Sequence, residues 1–159
     1  MLPILVPSGC RAGAIEAKNG TEVNLAYQKF SDPQAASRFL AQREEARLLG
    51  GGTLLVRSVN EGDVSIGTYV RLLAPELQQI EVSDDVVRLG AGVTMSRIAQ
   101  TLAFLAPVAR SIGGPAVRAA ATVGGNLFAP NPYGDFGVAL GARCRCGHRR
   151  SRRREGAGS

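Results

Sequence analysis

The sequence predicts an α+β protein. Apolar residues alternate as in strands over two short stretches, helix-period stripes follow two clear capping signals, and glycine-rich turns punctuate the passages between them. At 159 residues the chain is long enough for one ordinary domain or two small lobes with real cores. Its glycines fall into two clusters, Gly50-Gly51-Gly52-Thr53 and Thr122-Val123-Gly124-Gly125-Asn126, which are the first candidates for a ligand site.

Residues 1–22 hold no sustained period and read as an irregular leader. Val23 to Phe30 alternates apolar and polar side chains, as a half-buried strand does. Asp32-Pro33 then combines an N-cap with a residue suited to the first helical turn, and Ala36, Phe39 and Leu40 supply the apolar stripe of a helix to about Gln42. Ala46 to Leu49 reads as a buried strand running into the first glycine cluster. Thr53 is placed to cap a helix bearing Leu54, Leu55, Val56 and Val59, closed by Asn60 and Gly62.

Ser65 to Leu73 predicts a strand with a short helical turn before Pro75, near which a lobe boundary falls. Leu77–Val82 and Val86–Ala91 predict an antiparallel pair joined at Ser83-Asp84-Asp85. Thr94 opens a helix with Ile98, Ala99, Leu102, Leu105 and Ala106 on its apolar face, interrupted by Pro107. A second helical piece covers Val108–Ile112, and Gly113-Gly114-Pro115 is a turn. This organisation divides the chain into a leader (1–22), a first lobe (23–75), an incomplete second lobe (76–140) and a tail (141–159).

Charge is localised. The tail holds seven arginines and one acid, whereas the first 140 residues hold 12 basic and 12 acidic groups, so the sequence pI of about 9.9 belongs to the tail. No specific nucleic-acid partner follows for the body. Aromatic content of 5% and the absence of Trp also argue against a base-stacking platform. From Gly141 hydrophobic periodicity stops, and the Arg-, Gly- and Ser-rich composition predicts disorder. Cys144, Cys146 and His148 lack the spacing and number of a zinc site, so no metal ligand is assigned. Three cysteines make no disulfide framework, and no apolar run reaches the length of a membrane span; a cytoplasmic, membrane-free protein is expected. Cys10 reads as an ordinary thiol, Met95 as helix-start packing and Arg118 as a surface residue more than a phosphate contact.

Glycine lets a ligand approach the main chain without a Cβ in the way, and successive N–H groups then form an anion-binding concavity. Gly50-Gly51-Gly52-Thr53 between a strand and a helix fits a pyrophosphate, with a helix N-terminus adding partial positive charge, and equally fits a tight turn with no ligand. Its spacing matches neither the dinucleotide fingerprint G-x-G-x-x-G nor the P-loop. In the second cluster Thr122 brings a hydroxyl, Gly124 and Gly125 close backbone approach, and Asn126 a donor and an acceptor. Asp135 follows nine residues on, beyond Pro130 and Pro132. Spacing alone fits these residues to a ribose or ribityl group with phosphate, or to a glycine bulge with an Asn-Pro turn.

Four stretches stand in register: Ala46-Arg47-Leu48-Leu49-Gly50-Gly51-Gly52-Thr53; Arg88-Leu89-Gly90-Ala91-Gly92-Val93-Thr94; Arg110-Ser111-Ile112-Gly113; and Ala121-Thr122-Val123-Gly124-Gly125-Asn126-Leu127 with Asp135. From about Val23 to Leu140 the sequence resembles the FAD-binding medium subunit of molybdenum hydroxylases, the carbon monoxide dehydrogenase and xanthine dehydrogenase family. The resemblance implies a vanillyl-alcohol-oxidase-type (PCMH-type) fold, with FAD extended between two α+β lobes. It implies cofactor contacts from Leu48, Leu49, Gly50, Gly51, Gly52, Thr53, Leu54 and Leu55 to the pyrophosphate. Thr122, Gly124, Gly125 and Asn126 would meet the diphosphate and ribityl region, Asp135 a sugar hydroxyl, and Ile112 would give an apolar contact.

The resemblance further implies an oxidoreductase component that receives electrons from [2Fe–2S] clusters on a small subunit. Those clusters are fed by a molybdenum cofactor on a large subunit, and the acceptor is NAD, a quinone or another molecule. The flavin carries the chemistry, so no catalytic acid or base is expected. Two departures stand out. Leu54 replaces an acidic residue that many members carry after the loop threonine, and the resemblance stops near Leu140, as after a frameshift or truncation. A non-catalytic fragment with weak or no FAD binding is the alternative expectation, and a basic-tailed polyanion-binding protein the third. The substrate is chosen on the molybdenum subunit and is not legible in this chain.

Overall fold

The computed structural model describes residues 13–16, 22–84 and 86–143. Cys10, Cys144, Cys146, His148 and the expected disorder of residues 144–159 lie outside the described residues. Strands β1 (Gly13–Glu16), β2 (Glu22–Phe30), β3 (Ala46–Leu48) and β4 (Thr68–Leu72) form one sheet in the order β1-β2-β4-β3. β1 pairs antiparallel with β2, while β4 runs parallel to both β2 and β3. The leader is therefore not irregular throughout: β1 lies within it, placed by cross-strand pairing that no local period announces.

Helix α1 (Pro33–Ala41) begins as expected, with the Asp32 carboxylate accepting from the N–H groups of Gln34 and Ala35. It leads into β3, which is not buried as expected. β3 takes the sheet edge, so only Ala46 is buried and Leu48 is half exposed. Helix α2 (Leu55–Asn60) starts two residues after Thr53. Its N-cap position is Leu54, which has helical backbone angles and makes no side-chain capping bond, so Thr53 is not the cap. The Tyr69 hydroxyl instead donates to the Leu55 carbonyl at 3.3 Å, tying the start of α2 to the buried face of β4.

After β4 the chain enters a 3-10 turn at Pro75–Gln78, beginning at the proline rather than before it. The following hairpin, β5 (Ile80–Val82) and β6 (Val87–Leu89), is shorter than expected because Leu77 belongs to that turn. Helix α3 (Met95–Thr101) has its predicted cap, the Thr94 hydroxyl oxygen accepting from the Arg97 N–H. Pro107 does not break this helix. α3 has already ended, and Pro107 sits in the first turn of α4 (Ala106–Ser111), where its missing N–H costs nothing.

Three further helices were not expected: α5 (Pro115–Ala120), α6 (Val123–Leu127) and α7 (Asp135–Arg143). The apparent turn at Gly113-Gly114-Pro115 is the entry to α5, and α7 runs through Leu140, so the compositional break there falls inside a helix. A loop with a cis Asn131–Pro132 bond joins α6 to α7. Among the described residues, no helix is long and apolar enough to cross a membrane.

Apolar burial divides along the chain. Leu25, Val59, Ile66 and Tyr69 form one cluster around the sheet, and Ala36, Ala46 and Val70 a second one under α1. Every member of the largest cluster lies beyond the 3-10 turn, from Val93, Met95 and Ile98 through Leu105 and Ala109 to Phe136 and Leu140. Phe136 is fully buried there, so α7 is a core element of this half. Phe136→Ala is expected to lower unfolding free energy by about 3–5 kcal/mol, measured by urea denaturation.

The α2–β4 connection carries a local charge device. The Ser65 hydroxyl and N–H donate to one oxygen of Asp63 at 2.6 and 2.9 Å, and the Ser58 hydroxyl to the other at 3.0 Å. These bonds, Ser65 foremost, hold the Asp63 carboxyl below the ordinary carboxylate range. A depressed folded pKa gives stability that is present above the unfolded value, roughly 3.9, and lost as pH falls through the folded one. Stability is therefore expected to fall on acidification below about pH 4, with a smaller drop in Asp63→Asn, read from urea midpoints across the pH series.

Candidate functional site between two glycine loops

The first glycine cluster leaves β3 and turns sharply at Gly52, whose φ of 75° favours glycine. The second begins at Thr122, which caps α6 by accepting from the Gly125 N–H at 3.1 Å. These two segments, some seventy residues apart in sequence, touch through their main chains. A Cβ added to Gly51 would stand 1.8 Å from the Ala120 carbonyl oxygen, and one added to Gly50 would stand 2.8 Å from the Thr122 hydroxyl oxygen. Glycine at Gly51 is thus required by the approach of the other loop's main chain, and at Gly50 a side chain would have to displace the Thr122 hydroxyl.

The Thr122 segment is held in place by hydrogen bonds to the stretch that precedes α3. The Val123 N–H donates to the Val93 carbonyl, the Gly124 N–H to that of Ala91, and the Met95 N–H to that of Ala121. Thr94 and Thr122 form an isolated antiparallel bridge within this lacing. Gly92 in turn packs against Leu77 and Gln78, and the Arg97 guanidinium donates to the Gln78 carbonyl. Two of the four stretches in register are therefore one bonded unit, against which the first glycine cluster packs.

A cavity of about 210 Å³ lies where the loops meet. Leu49, Gly50, Gly51, Arg71 and Leu72 line it from the sheet side, and Gln78, Gly92, Thr94, Ala119, Ala120 and Thr122 from the other. It is smaller than the roughly 300–1,000 Å³ of pockets that enclose a whole drug-sized ligand, so it suits one segment of an extended molecule. Among the described residues, the N–H groups of Gly50 to Leu54 donate to no protein acceptor. Such a row of open amides beside a glycine turn is an anion-binding arrangement. α2 has only six residues, so the loop amides rather than a helix dipole supply the positive field.

Of the residues singled out by sequence, the cavity gathers Leu49, Gly50, Gly51 and Thr122. Gly52 makes the turn, and Thr53 and Leu54 follow it with open amides. Leu48 lies on the edge strand, and Leu55 packs towards the cluster under the sheet. Gly124 is packed on Ala91, and Gly125 is exposed at the Thr122 cap. Asn126 is buried with its amide donating to the Thr122 carbonyl at 3.0 Å, so this side chain braces α6. Ile112 packs against the larger core, and Asp135 is exposed at the start of α7; neither lines the cavity.

Arg71, Gln78 and Thr94 line the cavity without having been marked as site residues. The available signal for Arg71 was a lone cation inside the apolar run Tyr69-Val70-Arg71-Leu72. Arg118, read as a surface residue, directs its guanidinium at the carbonyls of Arg110, Ile112 and Gly113, where it ties off the end of α4.

Residues 21–153 match the family described as the FAD binding domain in molybdopterin dehydrogenase. No curated protein matches the chain. Among solved structures, it is similar to a chain of the carbon monoxide dehydrogenase from Hydrogenophaga pseudoflava that lacks the Mo-pyranopterin moiety of its cofactor, with 26% identity and a TM-score of 0.59. It is likewise similar to a chain of quinoline 2-oxidoreductase from Pseudomonas putida 86, with 28% identity and a TM-score of 0.59. Each likeness covers 64% of this chain and 38% of the other, so the chain spans under two fifths of their length. A reconstituted carbon monoxide dehydrogenase from Oligotropha carboxidovorans shares the fold, with a TM-score of 0.58 at 24% identity over 63% of this chain and 38% of that one. With 133 consecutive residues matched and the fold shared, the chain belongs to the family of FAD-binding domains of molybdopterin dehydrogenases.

Proposed function

We propose that this chain holds the diphosphate of FAD in the cavity between its two glycine loops, as part of the electron-transfer flavoprotein of a molybdopterin-dependent dehydrogenase. The observation that carries the reading is the row of open amides from Gly50 to Leu54, which starts at the cavity that Gly50, Gly51 and Thr122 line together, in a protein of this family. The donor set fits the group: main-chain N–H groups, the Thr122 hydroxyl and glycines without Cβ admit phosphate oxygens and no bulky side chain. Residues 23–75 and 76–140 act as the two lobes flanking the cofactor.

Thr122 has a double task. Its oxygen accepts from the Gly125 N–H, which leaves the hydroxyl proton to donate into the cavity. Asn126 fixes the Thr122 main chain from behind, and Gly124 fixes it to Ala91, so the hydroxyl is preorganised for the anion. Leu49 and Leu72 add apolar surface to the lining of the cavity. FAD, when bound, supplies the redox chemistry, and the chain supplies position and electrostatics. Its partners in this reading are a large subunit with the molybdenum cofactor and a small subunit with [2Fe–2S] clusters. It works in the cytoplasm and passes electrons to NAD or a quinone.

The test is titration of the purified chain with FAD, followed by flavin fluorescence. Saturable binding near one FAD per chain is expected, and its absence would overturn the reading. Gly51→Ala should weaken FAD at least tenfold, about 1.4 kcal/mol, because the new methyl parts the loop from Ala120. Gly114→Ala is the control, since a Cβ there meets nothing within 4 Å, and it should bind as the unaltered chain does. Thr122→Val, which removes both the cap and the inward donor, is expected to lose roughly tenfold in the same titration.

A further inference from the structure

We infer that Arg71 is the cationic contact to the bound diphosphate and sets the preference of the site for FAD over flavins that lack a diphosphate; this rests on the FAD reading above. Arg71 lies on β4, the strand flanked by β2 and β3, and its side chain is part-buried rather than free in solvent. One guanidinium nitrogen donates to the Gly50 carbonyl at 3.3 Å, and the residue lines the cavity beside Gly50, Gly51 and Thr122. A guanidinium has five N–H donors, so this bond leaves most of the fork available.

The surroundings select an anion. No carboxylate among the described residues lines the cavity. Among the described residues, the ion pairs are Arg38–Asp32, Arg57–Glu61 and Arg88–Glu81, and none involves Arg71. The Thr94 and Thr122 oxygens each accept from a main-chain N–H, leaving both hydroxyl protons to donate. A part-buried cation beside two lining hydroxyls free to donate, with no acid in the described lining to neutralise it, is complementary to phosphate, which arginine binds bidentately. The bond to Gly50 adds a second effect: an anion that fixes the guanidinium also fixes the loop whose amides face it.

The experiment compares the unaltered chain with Arg71→Gln and Arg71→Lys, titrated with FAD, ADP and riboflavin at low and high salt, with circular dichroism as the check on folding. Arg71→Gln is expected to weaken FAD and ADP at least tenfold, leave riboflavin unchanged and flatten the salt dependence. Arg71→Lys is expected to keep the salt dependence and recover only part of the affinity. Equal losses for FAD and riboflavin would make Arg71 merely a brace for Gly50, and undiminished FAD binding in Arg71→Gln would remove it from the site; either overturns the inference. If Arg71→Gln does not fold, Arg71→Lys decides, and FAD affinity equal to that of the unaltered chain overturns the bidentate contact. Failure of the unaltered chain to bind FAD would instead overturn the cofactor reading, and this inference with it.

Discussion

Everything in the site depends on two main chains coming together with no side chain between them. Gly50 and Gly51 stand so close to Ala120 and Thr122 that a single methyl would overlap the Ala120 carbonyl. Backbone at that distance brings polar groups into a small space, and polar groups without partners are costly away from water. The Thr122 side resolves this by lacing Val123 and Gly124 to Val93 and Ala91. The Gly50 side leaves its amides open, and that asymmetry is what makes the packing contact a candidate binding site.

The two halves contribute unequally to this arrangement. The larger core, with Met95, Ile98 and Phe136 fully buried, supports the Thr122 segment from below. The first glycine loop rests on a three-residue edge strand and a six-residue helix, joined by the Tyr69 hydroxyl and the Arg71 guanidinium. The Thr122 side of the candidate site is thus backed by a large core, and the Gly50 side by two short elements.

Sequence reasoning succeeded where the governing interaction is local. Asp32-Pro33 and Thr94 each cap a helix through bonds spanning two or three residues, and both were legible. It failed where tertiary contacts override local preference. Thr53 has the right chemistry for a cap, but the chain enters α2 through helical angles at Leu54, so no extended cap residue exists. α6 and α7 carry glycines at Gly124, Gly125, Gly137 and Gly141, a composition that argues against helices until burial of Val123 and Phe136 is known. Among the described residues, β1 pairs with β2 and with no other strand. In the site, glycine spacing marked both loops, yet it showed neither that they touch nor that Arg71 reaches them from a strand whose neighbours are apolar.

The Gly51–Ala120 contact also bears on how such a chain can change over generations. A joint specified by missing atoms places almost no demand on the side chains around it. Side chains on both sides can vary in size and chemistry without disturbing the joint. The same economy leaves no gradual route at the joint itself: every replacement of Gly51 adds at least a carbon where there is space for none.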